Sequence, residues 1–226
     1  MCSSFHQALR VVALTALFLG NAAPIQRAQA APIGQVTLPA AEDAYVASLK
    51  PDDSNGSKTG LWVGHAPDYG IERTYLCFAV APPQGTKIVS AWLRLYLGSA
   101  SSGDPPMTMQ VQRIAQVWGE ATLTWNDQAN WQPVGVEATQ VVSTTPGWYE
   151  WEVSELLAEW SAASPADSVI GFRLTGDEQE GEHERGFWSK DCVADYCGTL
   201  HPQLVLTLAW PHGLYLPLVI SSPAMP

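Results

Sequence analysis

Apolar and polar residues alternate with period two in several separate stretches of the chain. They are Leu61-Trp62-Val63, Tyr75 to Val80, Val89 to Leu97, Met107 to Val111, Trp148 to Val153, Val169 to Leu174 and Leu204 to Leu208. A strand sends successive side chains to opposite faces, so each stretch predicts a half-buried β-strand. Turn-forming segments separate them: Pro51 to Gly56, Pro82-Pro83-Gln84-Gly85, Ser101 to Pro106, Thr145-Pro146-Gly147 and Asp177 to Gly181. Strands recurring between such turns predict an all-β fold, an antiparallel β-sandwich of jelly-roll type. One short helix interrupts the pattern. Ser154 is expected to cap Glu155 to Trp160, with Leu156, Leu157 and Trp160 on one face. No internal repeat or linker divides residues 33–209, which are read as one domain.

The alternation also sorts side chains. In Val89 to Leu97 the odd positions are apolar or small and are expected in the core, which turns Trp92, Arg94 and Tyr96 to the opposite face. Trp62 likewise lies opposite Leu61 and Val63, and Trp188 and Lys190 lie opposite Phe187 and Ser189. The C–H face of a pyranose stacks on an indole ring while charged donors hold its hydroxyls or carboxylates. Trp62, Trp92, Arg94, Tyr96, Trp188 and Lys190 are therefore the candidate carbohydrate-binding residues. Against this stands a second minor core, with the helix or a loop covering the face. Trp118, Trp125, Trp148, Trp151 and Trp160 are read as core.

Composition narrows the class. Of 226 residues 46% are hydrophobic and only 15% charged, with 18 Gly, 17 Pro and 22 aromatics, as in an extracellular β module. Eleven bases against 22 acids give −11, which disfavours nucleic acid as a partner. Residues 1–30 hold Arg10, Arg27 and no acid, and the apolar run Val11 to Leu19 precedes the small triplet Ala28-Gln29-Ala30. This predicts a signal peptide cleaved after Ala30, hence secretion. The run is too short to span a bilayer. Without that segment the charge is −13.

Cys77, Cys192 and Cys197 then enter an oxidising compartment. Cys192 and Cys197 flank four residues and are expected to pair; Cys77 lies in a strand and is expected to stay a free, buried thiol. Residues 210–226 form a tail whose Leu214-Tyr215-Leu216-Pro217-Leu218-Val219-Ile220 run reads either as a sorting or cell-surface docking signal or as one more strand.

The succession Asp43-Ala44-Tyr45-Val46, Leu61-Trp62-Val63-Gly64 and Ala91-Trp92-Leu93-Arg94-Leu95-Tyr96 resembles the first half of the DNRLRE domain, classed as carbohydrate-binding module family 96. Val117 to Gln128, Gly147 to Val153 with Leu157 to Trp160, Phe187 to Asp191 and His201 to Thr207 continue it in order. Ala79 in place of an acid, Asp191 in place of Glu, and the Cys192–Cys197 insertion depart from the family pattern. The resemblance implies a secreted β-sandwich, and for some members binding of alginate-like or other acidic polysaccharides.

Catalytic chemistry finds no motif: H-E-x-x-H, G-x-S-x-G and a phosphate-cradling loop are all missing from the sequence. Glu150 and Glu152 are read as hydrogen-bonded or solvated face residues rather than a glycosidase pair. No catalytic residue, metal ligand or cofactor is expected. The acidic loop Asp177 to Glu184 offers oxygens to a structural Ca²⁺ but lacks a ligand register, and a solvated loop is the better reading. The expected function is binding of an extracellular polysaccharide, acidic if the two bases take part. The alternative is a structural or spacer module of a surface or matrix protein; a deep cleft with two facing carboxylates would instead indicate an enzyme.

Overall fold

The computed structural model describes residues 32–210, apart from 102, 117, 129, 130 and 164–167. The expected signal peptide and the YLPLV tail lie outside the described residues. Among the described residues eleven strands and two helices follow one another. They are β1 (Pro32–Pro39), β2 (Glu42–Ala47), β3 (Gly60–Ala66), β4 (Gly70–Ala79), β5 (Lys87–Ala100), β6 (Met107–Ile114), α1 (Trp125–Gln128), β7 (Val134–Val142), β8 (Gly147–Glu152), α2 (Ser154–Ala163), β9 (Val169–Thr175), β10 (His183–Trp188) and β11 (Gln203–Ala209). All pairings are antiparallel, and the sheet curls in the order β1-β11-β5-β10-β3-β4-β9-β6-β7, with β2 added on β4 and β8 on β5. The all-β, sandwich-like architecture expected from the alternation is the one formed.

Curling closes the apolar faces on each other. Leu61 and Val63 of β3, Leu93, Leu95 and Leu97 of β5, Trp151 of β8, Phe172 and Leu174 of β9 and Phe187 of β10 make one core and are almost wholly shielded from solvent. Burial of this kind yields about 25 cal/mol per Å² of apolar surface and drives the closure. Trp151 sits at its centre and donates its indole N–H to the Met109 carbonyl at 3.3 Å, so burying the ring strands no polar atom. A second, smaller cluster of Ala44, Val46, Tyr75, Ile114 and Leu123 packs with Trp118, Trp125 and Trp131 on the far side of β4.

Several expectations need correction. Val89 is exposed rather than buried, because the β5–β11 register slips between Thr207 and Leu208, so that Ser90 and Ile88 are paired and Val89 is skipped. Ser154 does begin α2, but its hydroxyl accepts the Ala91 N–H at 2.8 Å and ties the helix to β5. Strands β1, β2, β7 and β10 add to the seven seen as alternation. Cys192 and Cys197 form a disulfide, Cα to Cα 6.1 Å, and Cys77 is a free thiol that is half-buried rather than buried. Burial, with Glu42 close by, pushes that thiol to about 11, which keeps it protonated and unreactive at neutral pH.

Candidate functional site

The outer face of β5 carries the site. Ala91, Leu93, Leu95 and Leu97 are buried, whereas Trp92 is 39% exposed and Arg94 and Tyr96 are half-buried. Cross-strand pairing sets their neighbours. On β8, Glu152 faces Trp92, Glu150 faces Arg94 and Trp148 faces Tyr96. Tyr96 and Trp148 meet edge to face with ring centres 5.6 Å apart, and the Arg94 guanidinium lies 4.7 Å from the Trp148 ring centre. Trp148 therefore belongs to this outer face and not, as expected, to the core. On β8, Tyr149 and Trp151 take the inward positions, so the period-two rule already turns Trp148, Glu150 and Glu152 outward.

Two glycines extend the row across the sheet. Trp188 of β10 lies against Gly98 of β5, where any Cβ would enter the indole. Trp62 of β3 lies over Gly186, its register partner on β10, where a Cβ would come within 2.7 Å of the ring. Each missing side chain is the space the neighbouring indole fills. Tyr196, carried by the Cys192–Cys197 loop, covers part of Trp188 with ring centres 5.2 Å apart. From Trp92 to Gly98 is six strand residues, about 20 Å, the reach of an oligosaccharide rather than a single sugar. Of the six expected binding residues, the fold joins Trp62, Trp92, Arg94, Tyr96 and Trp188 into one band across β5, β10 and β3. Trp148 and Tyr196 are additions to it.

Lys190 is placed differently. It lies just past the end of β10, and its ammonium contacts Glu120 at 2.8 Å and Asp191 at 3.0 Å. Burial works against that charge, but the two carboxylates outweigh it and hold the ammonium above its ordinary value. Beneath them Asp43, fully buried, accepts the Ser189 hydroxyl and the Lys190 N–H, both at 2.7 Å. Burial pushes Asp43 up to about 6, against the pull of these donors. Asp43, Glu120 and Asp191 bring ligand oxygens within 4.8 Å of one another, the one such group of three among the described residues. The Lys190 ammonium already answers their charge, so a metal ion there would compete with it. The acidic loop is likewise engaged: Glu178 clasps Arg73 through two contacts of 2.7 Å, and Asp177 accepts the Gln179 N–H.

Arg94 is also partnered. Its Nε lies 2.6 Å from Glu150 Oε1, a charge contact without the alignment of a hydrogen bond. Both cations expected to serve the site thus rest against carboxylates of the protein itself. Glu152 accepts the Ser154 N–H at 3.1 Å, so Glu150 and Glu152 are engaged locally, as the sequence suggested.

The model of carbohydrate-binding module family 96 matches residues 34–207, more than half of the chain. No curated protein matches it.

Proposed function

The chain belongs to carbohydrate-binding module family 96, and on that footing we propose that it is a secreted, non-catalytic module that binds an extracellular polysaccharide along the band Trp92, Tyr96, Trp148, Trp188 and Trp62. The observation that carries this reading is the band itself: tryptophans are laid over Gly98 and Gly186 on the outside of the sheet, where folding alone rewards an indole less than burial would. A half-exposed aromatic strip several strands wide suits the apolar faces of successive pyranoses, and edge hydroxyls can meet Glu150, Glu152 and Gln203. The Cys192–Cys197 disulfide is compatible with an oxidising, extracellular setting, and no helix among the described residues is long and apolar enough to cross a membrane.

The acidic, alginate-like ligand is the narrower form of the proposal. It requires Arg94 and Lys190 to exchange their present carboxylates for those of the ligand, each exchange costing an existing ion pair. The competing reading, a structural or spacer module, draws on Tyr196 over Trp188 and on the partial burial of Tyr96 and Trp62. Attachment to a cell surface through the C-terminal tail remains part of that second reading. Titration of the secreted protein with neutral and uronic oligosaccharides, followed by tryptophan fluorescence, tests the proposal. Saturable quenching that Trp92→Ala weakens supports the binding module; no response to any oligosaccharide in a folded protein supports the spacer.

A further inference from the structure

At the β3 end of the aromatic band is a hollow of about 340 Å³ to which Trp62 contributes one wall. Tyr45 of β2 and Tyr69 of the β3–β4 turn supply further rings, and Asp68, Glu72, Glu182 and Glu184 supply four carboxyl groups; no lysine, arginine or histidine lines it. Glu72 is 1% exposed, and its Oε2 has no hydrogen-bond donor facing it. Its neighbour is the Glu184 carboxyl, since Glu72 and Glu184 both stand opposite Gly64 from the two sides of β3. Leaving such an oxygen buried and unanswered is costly. Burial, then the contact with Glu184, pushes Glu72 to about 9, so at neutral pH it keeps a proton.

The hollow asks for a compact cation that carries several donors and an apolar body. We propose that it receives the protonated amino group of a glycan, so that the polymer lying on the band contains amino sugars; this rests on the binding reading above. An ammonium brings three N–H donors to Glu72, Glu184 and the rim carboxylates, while the side chains of Trp62, Tyr45 and Tyr69 line the hollow and supply apolar surface for the sugar C–H groups. A uronate would meet like charge on every side. A divalent metal needs more converging oxygens than Glu72 and Glu184 provide, and the three-carboxylate group of the described residues lies elsewhere, at Asp43. When the ammonium replaces the proton of Glu72, that proton leaves to solvent, so binding is accompanied by proton release.

The test is calorimetric titration of the secreted chain at pH 6, with a chelator present, against β-1,4-linked hexamers of glucosamine, N-acetylglucosamine and glucose, which differ only at C2. The glucosamine hexamer is expected to bind at least ten-fold more tightly than the glucose hexamer. Its binding should release protons, read as an enthalpy that changes with the ionisation enthalpy of the buffer. Glu72→Gln and Glu184→Gln should abolish that preference while leaving the glucose hexamer within two-fold, and Glu155→Gln, on the exposed side of α2, should leave it intact. Equal binding of the three hexamers, or a preference that Glu155→Gln erodes as much as Glu184→Gln does, overturns the inference. So does saturable binding of Ca²⁺ alone, titrated without the chelator, that Glu184→Gln removes, which would make the hollow a metal site. If the glucose hexamer binds in a Trp92-dependent way without preference for amines, only this inference falls; if no hexamer binds, the binding-module reading falls with it.

Discussion

Arg94 spans Glu150 and Trp148: its Nε is 2.6 Å from the carboxylate and its guanidinium 4.7 Å from the indole centre. The arginine therefore serves the sheet surface before it serves any ligand. Both partners are partly exposed, and an exposed pair of this kind contributes about 0–1 kcal/mol. Arg94→Ala should leave the melting temperature within a few degrees. Where a uronic-acid polymer is retained, Arg94→Ala should lower that retention more than retention by a neutral polymer, and the difference should narrow as salt screens the charge. Equal losses for both polymers at all salt concentrations would remove Arg94 from the recognition of charge.

Trp92 and Trp151 should separate binding from folding. Trp92, 39% exposed, contributes little to the core, and Trp92→Ala should weaken polysaccharide binding by about 1–2 kcal/mol with little change in stability. Trp151 is fully buried, and Trp151→Ala should destabilise by about 3–5 kcal/mol through lost contacts and a cavity, with binding lost only as folding is lost. Denaturant melts read beside affinity gels check both; a Trp92→Ala protein that unfolds would place that indole in the core.

Gly98 is where the band is most sensitive to a single methyl group. A Cβ at this position enters the Trp188 indole, so Gly98→Ala must push that ring off the sheet towards Tyr196. Polysaccharide affinity should fall although the residue is remote from any polar contact, while the disulfide and the core keep the protein folded. Unchanged affinity together with unchanged Trp fluorescence would show that Trp188 does not form part of the surface that binds.

Much of this was legible in the sequence. The alternation Ala91, Leu93, Leu95, Leu97 against Trp92, Arg94, Tyr96 places three of the six expected residues on the face they occupy, and the same rule in β3 and β10 places Trp62 and Trp188, because a strand with one buried face admits only one register. Trp148 has the residue type of a core position, but its place in the alternation of β8, opposite Tyr96, turns it outward. Other features depend on partners far along the chain. Gly98 and Gly186 declare their role only when Trp188 and Trp62 arrive from other strands, and the Glu72–Glu184 pair exists only because β4 and β10 flank β3. His183 to Trp188 mixes charges with apolar residues, so strand β10 hides from periodicity, although Phe187 and Trp188 do alternate. Lys190 lies beyond the last residue of β10, where strand alternation no longer governs it, and is held by Glu120, 70 residues earlier, which no local pattern reveals.

Stability should decline as pH rises. Burial raises Asp43 from 3.8 to about 6 and Glu72 from 4.5 to about 9. Each folded carboxyl keeps a proton that the unfolded chain has already lost, so stability falls from about pH 4 to 6 through Asp43 and from about pH 4.5 to 9 through Glu72. Glu72→Gln, neutral at every pH, should flatten the upper part of this decline and raise the melting temperature at pH 8, by about 2–4 °C for each kcal/mol regained. A melting temperature that is constant from pH 5 to 8, or one that Glu72→Gln lowers at pH 8, would contradict the buried, protonated state of Glu72.

The central claim is that the band from Trp92 to Trp62 is a polysaccharide-binding surface. Its most direct test is electrophoresis of the protein through native gels that contain neutral, uronic-acid and amino-sugar polysaccharides in parallel, beside Trp92→Ala and Trp62→Ala. Retardation of the natural protein in at least one polysaccharide, lost or strongly reduced in both variants while their melting curves stay unchanged, is the result expected. Unretarded migration in every gel, or retardation that both folded variants retain in full, would show that the band is a covered structural face and that the module serves as a spacer.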